Sequence, residues 1–310
     1  MKNHLEEVYK QILPYIHRTP VLTSHLLNEI TDCFLYFKCE NFQRMGAFKM
    51  RGAIHALLHL TEAQKARGVI THSSGNFAQA LALAAKSLQI KAYIVMPETA
   101  PIVKKDAVKG YGGTIIECPP TNEDRERYTQ RLIQEKGLTF IHPSNDLKVI
   151  EGQGTAAMEI IEIYPNLDFL FVPVGGGGLA AGTILATQHF SPKTQVVGGE
   201  PAWVDDAYRS LKSGKIENHS NAPTIADGLR TVLGDINFPI IQNGIDSIIR
   251  VEEEEIISAM KLIWERMKII VEPSSAVAFA ALLKNKAEYK NKNIGIILSG
   301  GNVDLKNLPF

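Results

Sequence analysis

The sequence predicts an α/β protein built on two doubly wound, mostly parallel sheets. Three observations carry that prediction. From about residue 34 onward, short β-rich runs alternate with helical patterns. Most of the β-rich runs are almost continuously apolar, as expected of parallel strands covered on both faces. The turns between them are short, and βα units joined by short loops wind as right-handed crossovers.

In chain order, the N-terminal MKNHLEEVYKQILPYIH is amphipathic and acid-containing, without the apolar h-region of a secretory leader. FLYFKCE opens the strand series and leads into the helical run MRGAIHALLHL. GVITHSS precedes NFAQALALAAKSLQ, KAYIVMP precedes PIVKKDAVKGYG, and GTIIECP precedes EDRERYTQRLIQEKG. LTFIHP is followed by GQGTAAMEIIEIY, and DFLFVPVG by GLAAGTILATQHF. QVVGGEP and SIIRV are further strands, EEEIISAMKLIWERM is a helix, and NIGIILSGG is the last strand. The four βα units of residues 68–145 are expected to form a compact small domain. Residues 1–67 and 146–310 would then build a larger domain around it. No internal repeat or low-complexity tract interrupts the pattern.

A chain of 310 residues is too long for one small core and suits one or two α/β domains. Lys+Arg and Asp+Glu both number 33, so the formal net charge is zero. That balance argues against a nucleic-acid or anionic-membrane binder and for a small-molecule substrate met in a cleft. Cys33, Cys39 and Cys118 are odd in number and lack CxxC spacing, which points away from a disulfide framework or zinc site and toward a reducing compartment. No apolar run approaches a membrane span. A cytoplasmic location is the expectation.

Four segments could carry chemistry. In VPVGGGGLAAG a strand ends in Gly175, Gly176, Gly177 and Gly178, and a helix opens at about Leu179. Residues without Cβ let N–H groups approach an anion closely, and the helix start adds a favourable dipole, so this reads as a phosphate cradle. Gly175, Gly177 and Ala180 also satisfy the dinucleotide pattern G-x-G-x-x-A, with Glu200 after the next strand, although that pattern usually belongs to a first βα unit. In CENFQRMGAFKMRGA, Lys49 lies between a strand and a helix among Phe48 and Met50. A desolvated lysine is available as a neutral nucleophile and base; an isolated one would more simply snorkel from the helix start. In THSSGNFAQALALAA, Ser73, Ser74 and Asn76 precede a helix where a carboxylate could dock, or merely cap that helix. In IILSGGNVD, Ser299 ends a strand, placed to bond a ring nitrogen or simply to begin a turn. A reactive lysine together with a separate phosphate cradle is the pair that pyridoxal phosphate requires.

These motifs, in this order, resemble those of fold-type II pyridoxal-phosphate enzymes, whose architecture is like that of the tryptophan synthase β subunit. The nearest likeness is to serine racemase and the serine/threonine dehydratases, including hydroxyaspartate dehydratases. It extends through HRTPVLTSHLLNEIT, APIVKKDAVKGYG, EGQGTAAMEI, PTIADGL, WERMKIIVEPSSA and LSGGNVDL. A dinucleotide fold has no use for the Lys49 segment.

The resemblance implies that Lys49 carries the cofactor as a Schiff base, with Phe48 beside the ring. Asn76 would bond the phenolic oxygen, and Gly175 to Gly178 with Leu179 would hold the phosphate. Ser299 would bond the pyridine nitrogen, and Gly228 and Glu272 would line the cofactor. Lys49 and Ser74 would act on opposite faces. The substrate carboxylate would meet Ser73, Ser74, Asn76 and the Phe77 N–H, and Arg125 and Thr231 would approach beyond the β-carbon. Glu200, Asp206 and the Val204 carbonyl would bind Mg²⁺, Mn²⁺ or Ca²⁺; without the resemblance, the two acids would more simply cap a helix starting near Ala202. The expected activity is dehydration of serine, threonine or 3-hydroxyaspartate to a 2-oxo acid and ammonia, with serine racemisation as the alternative, in a homodimer.

The sequence departs from the family at several points. The asparagine loop usually reads SSGNH, and Phe77 replaces its histidine. Thr231 stands where serine racemase has serine. Met45 and Ser144 differ from nucleotide-binding positions of activated racemases, which argues against nucleotide regulation. The chain ends soon after LSGGN, so isoleucine-type feedback is not expected.

Overall fold

The computed structural model describes residues 2–219 and 223–310. The first half of the chain runs α1 (Lys2–Ile12), β1 (Val21–Leu22), α2 (His25–Thr31), β2 (Phe34–Cys39), α3 (Lys49–Leu58), α4 (Glu62–Arg67) and β3 (Val69–His72). There follow α5 (Asn76–Ser87), β4 (Ala92–Pro97), α6 (Ile102–Gly110), β5 (Thr114–Cys118), α7 (Asn122–Lys136) and β6 (Thr139–Phe140). The second half runs α8 (Leu147–Ile163), β7 (Phe169–Pro173), α9 (Gly178–Phe190), β8 (Gln195–Pro201), α10 (Asp206–Ser213) and α11 (Asn237–Gly244). It closes with β9 (Ser247–Val251), α12 (Glu253–Met267), α13 (Pro273–Lys284) and β10 (Asn293–Leu298).

Each predicted strand is present, as β2 to β10, in two sheets. The larger has the order β1-β2-β10-β7-β8-β9 and the smaller β5-β4-β3-β6. Among the described residues every named strand pair is parallel except β1 with β2, where Val21 faces Lys38. The side-chain alternation of a strand distributes each apolar run over two covered faces. On β7, Phe171 joins the core under α12 and α13, while Leu170 and Val172 join the one under α8 and α9. The smaller sheet is covered likewise, Ile94 and Met96 packing toward α3 and α5 and Val95 toward α7.

Five elements escape the sequence pattern: β1, α2, α4, α11 and α13. β1 is a two-residue strand, too short for any periodicity. α13, PSSAVAFAALLK, is apolar nearly all round because it is packed between α12 and the larger sheet, so it has no amphipathic stripe to read. Its Pro273 at the first helical position is the start signal that does survive. α8 begins at Leu147 instead of the predicted Gly152, because Asp146 accepts hydrogen bonds from the N–H groups of Lys148 and Val149.

Small residues set the geometry around the site. A Cβ on Gly154 of α8 would stand 2.6 Å from the Gly182 carbonyl oxygen of α9, and one on Gly152 2.5 Å from the Arg51 carbonyl oxygen of α3. Both helices therefore lean directly on the α8 backbone. Their N-termini, bearing Lys49 and the glycine loop, are thereby brought together.

Candidate active site

Lys49 opens α3, and the turn before it is fastened to the end of β10: Phe48 N–H donates to the Ser299 carbonyl at 3.0 Å, and Ala47 bridges Gly300. Two residues on, fully buried Arg51 pairs with Glu40 at 2.7 Å and Glu159 at 2.8 Å, and Lys38 also pairs with Glu159. This charge-balanced cluster pins the helix start from behind. The Lys49 ammonium donates to the Pro143 carbonyl at 2.8 Å and lies 4.9 Å from the Phe48 ring centroid and 5.7 Å from that of Phe77. Burial pulls its pKa down to about 8, against the opposing charge of Glu272.

After β7, the N–H groups of Gly175 to Gly178 have no acceptor among the described residues. Gly177 has φ +77 and precedes the first turn of α9, a left-handed conformation that a glycine accepts without strain. Side chains on the loop would clash: a Cβ on Gly175 would stand 2.6 Å from Leu229 Cα, and one on Gly178 2.7 Å from Gln153 Oε1. Buried Asn237 fixes the loop, donating to the carbonyls of Gly176 at 2.9 Å and Ser144 at 3.1 Å. Leu179 continues the open N-terminal turn. Unpaired N–H groups, absent Cβ atoms and a thirteen-residue helix axis behind them are what a phosphate needs.

At the start of α5 the capping alternative fails. The cap residue is Gly75, with no side-chain cap, so neither Ser74 nor Asn76 closes the helix. Ser73 Oγ accepts from the Gly75 N–H at 3.3 Å, while the half-buried Ser74 hydroxyl has no hydrogen bond among the described residues. Asn76 Nδ2 donates to Glu272 at 2.7 Å, and its Oδ1 accepts from Asn302 Nδ2 at 2.9 Å, which also donates to the Met45 carbonyl. Asn76 is thus oriented by partners from the far end of the chain. The Glu272 carboxyl is pushed up to about 8, first by burial and then by Asp227. Ser299 is buried, and its hydroxyl has no protein partner among the described residues. Gly228 N–H donates to Ser274 Oγ at 3.0 Å, placing the 227–229 turn beside α13.

Arg125 and Thr231 lie on different walls. Arg125, on α7, acts electrostatically on His72 at the end of β3. Thr231 is exposed, its Oγ1 2.8 Å from where a Cβ on Gly176 would stand. His142 Nδ1 accepts the N–H groups of Ser144 and Asn145 at 3.1 and 2.7 Å, so the neutral ring carries its proton on Nε2. Burial, His72 and Lys49 push its pKa down to about 4. Sequence reasoning misses the Pro143 carbonyl, His142, Asn237 and the linking role of Asn302. Apart from the local hydrogen bonds of His142, they act across long stretches of chain, and only the Gly-Gly-Asn turn left a local trace.

The two acids, Glu200 near the end of β8 and Asp206 beyond it, divide their roles. Glu200 does cap α10, accepting the N–H groups of Ala207 and Tyr208 at 2.8 Å each. The helix begins at Asp206, not near Ala202, where a single 3-10 turn ending in buried Val204 intervenes. Asp206 Oδ2 is buried without a partner, and its carboxyl is raised to about 6 by burial. The Glu200 carboxyl is also raised well above the usual carboxylate range, by burial and then by Asp206. Among the described residues no set of three His, Cys, Asp or Glu side chains is arranged around a metal position. Two adjoining buried carboxylates with an orphaned oxygen nonetheless form a hard donor pair whose repulsion a divalent cation would relieve. No helix among the described residues is long and apolar enough to cross a membrane.

Residues 12–300 match the family model described as "Pyridoxal-phosphate dependent enzyme". The chain is 50% identical over 308 residues to the serine racemase of Dictyostelium discoideum, covering 98% of this chain and 95% of that protein. The crystal structure of that racemase superposes with a TM-score of 0.94, covering 98% and 99% of the two chains. The β-hydroxyaspartate dehydratase of Paracoccus denitrificans is 47% identical over 302 residues, 97% of this chain and 96% of its own. The maize serine racemase structure has a TM-score of 0.96 at 43% identity, covering 98% of this chain and 94% of its own.

Proposed function

Because the chain belongs to the pyridoxal-phosphate-dependent enzyme family, we propose that it dehydrates and deaminates small hydroxy-amino acids to a 2-oxo acid and ammonia, and that it also interconverts serine enantiomers. The observation that carries this reading is the half-buried, neutral-prone Lys49 amine, held by the Pro143 carbonyl beside a glycine loop of unpaired N–H groups that packs against Ser144. Relatives of both activities support each half.

The N–H groups of Gly175 to Leu179 would hold the cofactor phosphate, Ser299 Oγ its ring nitrogen and Asn76 its phenolic oxygen, with Phe48, Gly228 and Glu272 lining the ring. Bound there, pyridoxal phosphate supplies an electron sink for negative charge at the substrate α-carbon. The open N-terminal turn of α5, with Ser73, Ser74, Asn76 and the Phe77 N–H, would seat the α-carboxylate. A carboxylate so seated turns the α-hydrogen toward one wall of the cleft. Lys49, once its amine is free and neutral, removes that proton; near its pKa of about 8 it serves as base and as acid in turn. The proton taken by Lys49 would be returned to the departing β-hydroxyl, which leaves as water, and the enamine released would hydrolyse to the 2-oxo acid and ammonia. Ser74, with no competing hydrogen bond, would exchange a proton from the opposite side and so open the racemase route. Arg125 and Thr231 would face the β-substituent.

Glu200, Asp206 and the Val204 carbonyl would hold Mg²⁺, Mn²⁺ or Ca²⁺, tying β8 to α10. A homodimer in the cytoplasm completes the proposal. Incubation with L-serine, D-serine, L-threonine and 3-hydroxyaspartate, following both 2-oxo acid and enantiomer, tests the reading. Absence of 2-oxo acid and of inversion from all four would end it.

A further inference from the structure

One residue touches both halves of the proposed chemistry. Phe77 is the second residue of α5, so its N–H belongs to the uncapped turn that faces the carboxylate position. Its ring is 2% exposed, packed in the apolar cluster with Met45, Ala47 and Met50, and its centroid lies 5.7 Å from Lys49 Nζ. The Phe48 ring centroid lies 4.9 Å from the same amine, whose one hydrogen-bond partner among the described residues is the Pro143 carbonyl. An ammonium has three protons to satisfy, so a single acceptor between two rings serves the neutral amine better than the cation.

We propose that Phe77 is a positioning residue for Lys49: its ring walls the amine off from water and from any second polar partner, while its own N–H helps dock the substrate carboxylate, so that docking and base are held in register by one side chain. A phenyl face also attracts a cation. Here exclusion of water outweighs that attraction, since the Lys49 pKa stands well below the ordinary 10.5 with burial as the largest cause. The charged and titratable groups facing Lys49 from neighbouring elements are Glu272, before α13, which favours the cation, and His142, after β6, whose charge Lys49 opposes. Arg51, on the same helix, is turned away into its pairs with Glu40 and Glu159.

The inference rests on the pyridoxal-phosphate reading, and its test separates the two. The full chain, freed of cofactor, is mixed with pyridoxal phosphate at a series of pH values. The rate of forming a borohydride-reducible adduct is followed, and the reduced peptide is mapped. Capture requires the neutral amine, so the rate rises with pH through the Lys49 pKa, with a midpoint near pH 8 in wild type. Phe77→Leu keeps an apolar wall and should leave the midpoint in place. Phe77→His and Phe77→Tyr bring a polar atom to the amine and should raise the midpoint by about one unit; two variants are used in case one does not fold. Folding is checked by far-UV circular dichroism. If a folded polar variant captures cofactor at Lys49 with the wild-type midpoint, Phe77 has no such role. A wild type that captures none at Lys49 would instead overturn the cofactor reading itself, and this inference with it.

Discussion

An amine enclosed by two phenyl rings and one carbonyl pays for its charge in lost hydration, and Lys49 is in that position. Lys49→Ala should accordingly abolish both elimination and racemisation and prevent borohydride from fixing the cofactor; full turnover in that variant would sink the reading. Ser74 offers a finer separation. Elimination from L-serine needs a proton removed on one side only, whereas inversion needs one delivered on the other. Ser74→Ala should therefore lose L-to-D conversion and activity on D-serine. L-dehydration should be retained, reduced by the equivalent of one carboxylate hydrogen bond, about 0.5–1.5 kcal/mol; wild-type racemisation in the variant would refute the two-sided assignment. Glu272 adds a pH signature. Its carboxyl titrates at 4.5 in an ordinary setting and at about 8 when folded. Between those values the unfolded chain sheds a proton that the folded chain keeps, so stability falls as pH rises through that window and levels off above it. Measured against Glu272→Gln, the cofactor-free wild type should lose up to about 5 kcal/mol across the window. Denaturant titrations should show a shallower loss in Glu272→Gln, and identical slopes would exclude the effect. Lys49 and the glycine loop were legible in the sequence because each motif is contiguous. Asn302 and Pro143 act on Asn76 and Lys49 only after the chain has folded back, so sequence alone could not pair them.

Between residues and the whole, the elements explain why the motifs converge. α3 and α9 approach α8 through backbone-to-backbone contact at Gly152, Gly154 and Gly182, which fixes how far Lys49 stands from the phosphate loop. The segment EGQGTAAMEI was recognised by likeness; its physical reason is this close approach, which no local pattern announces. Every strand except the two-residue β1 was legible, because continuous apolar runs have few other uses in a chain of this composition. α13 was not, since a helix covered on all sides loses the contrast that periodicity detects. The proposed cation site also belongs to this scale, because it would join the end of β8 to the start of α10. Asp206 Oδ2 now lies buried and unpaired beside Glu200. Chelator should lower the melting temperature and the turnover of the wild type together, and Mg²⁺, Mn²⁺ or Ca²⁺ should restore both. In Asp206→Ala neither chelator nor cation should have an effect. A wild type indifferent to chelator would mean that the two acids serve the helix alone.

At the scale of the molecule, the smaller sheet lies wholly within the proposed 68–145 unit, but its core does not. The apolar cluster beneath that sheet joins Val69, Leu81 and Ile94 to Tyr9 and Ile12 of α1, Met50 and Ile54 of α3, and Val149 of α8. The Lys104–Asp227 ion pair links α6 to the turn beside Glu272, although a pair this exposed contributes at most about 1 kcal/mol. The shared core is the stronger bond between the two units. Chains of this length often unfold through intermediates, yet here loss of either unit opens the shared cluster: the smaller sheet loses the cover of α1, α3 and α8, and those helices lose the smaller sheet. A single cooperative transition is therefore expected. Both tryptophans, Trp203 after β8 and Trp264 on α12, report on the larger sheet, whereas far-UV circular dichroism reports on the entire chain. The two melting curves should coincide. The proposed cofactor contacts draw on both units, Asn76 from α5 and the glycine loop and Ser299 from the larger sheet. Pyridoxal phosphate at a hundredfold excess over its dissociation constant should therefore move both curves upward together, by about 2.7 kcal/mol of stabilisation. A dichroism transition that precedes the fluorescence change would show the smaller unit melting alone. A cofactor-induced shift in fluorescence only would show that Asn76 and its helix take no share in binding.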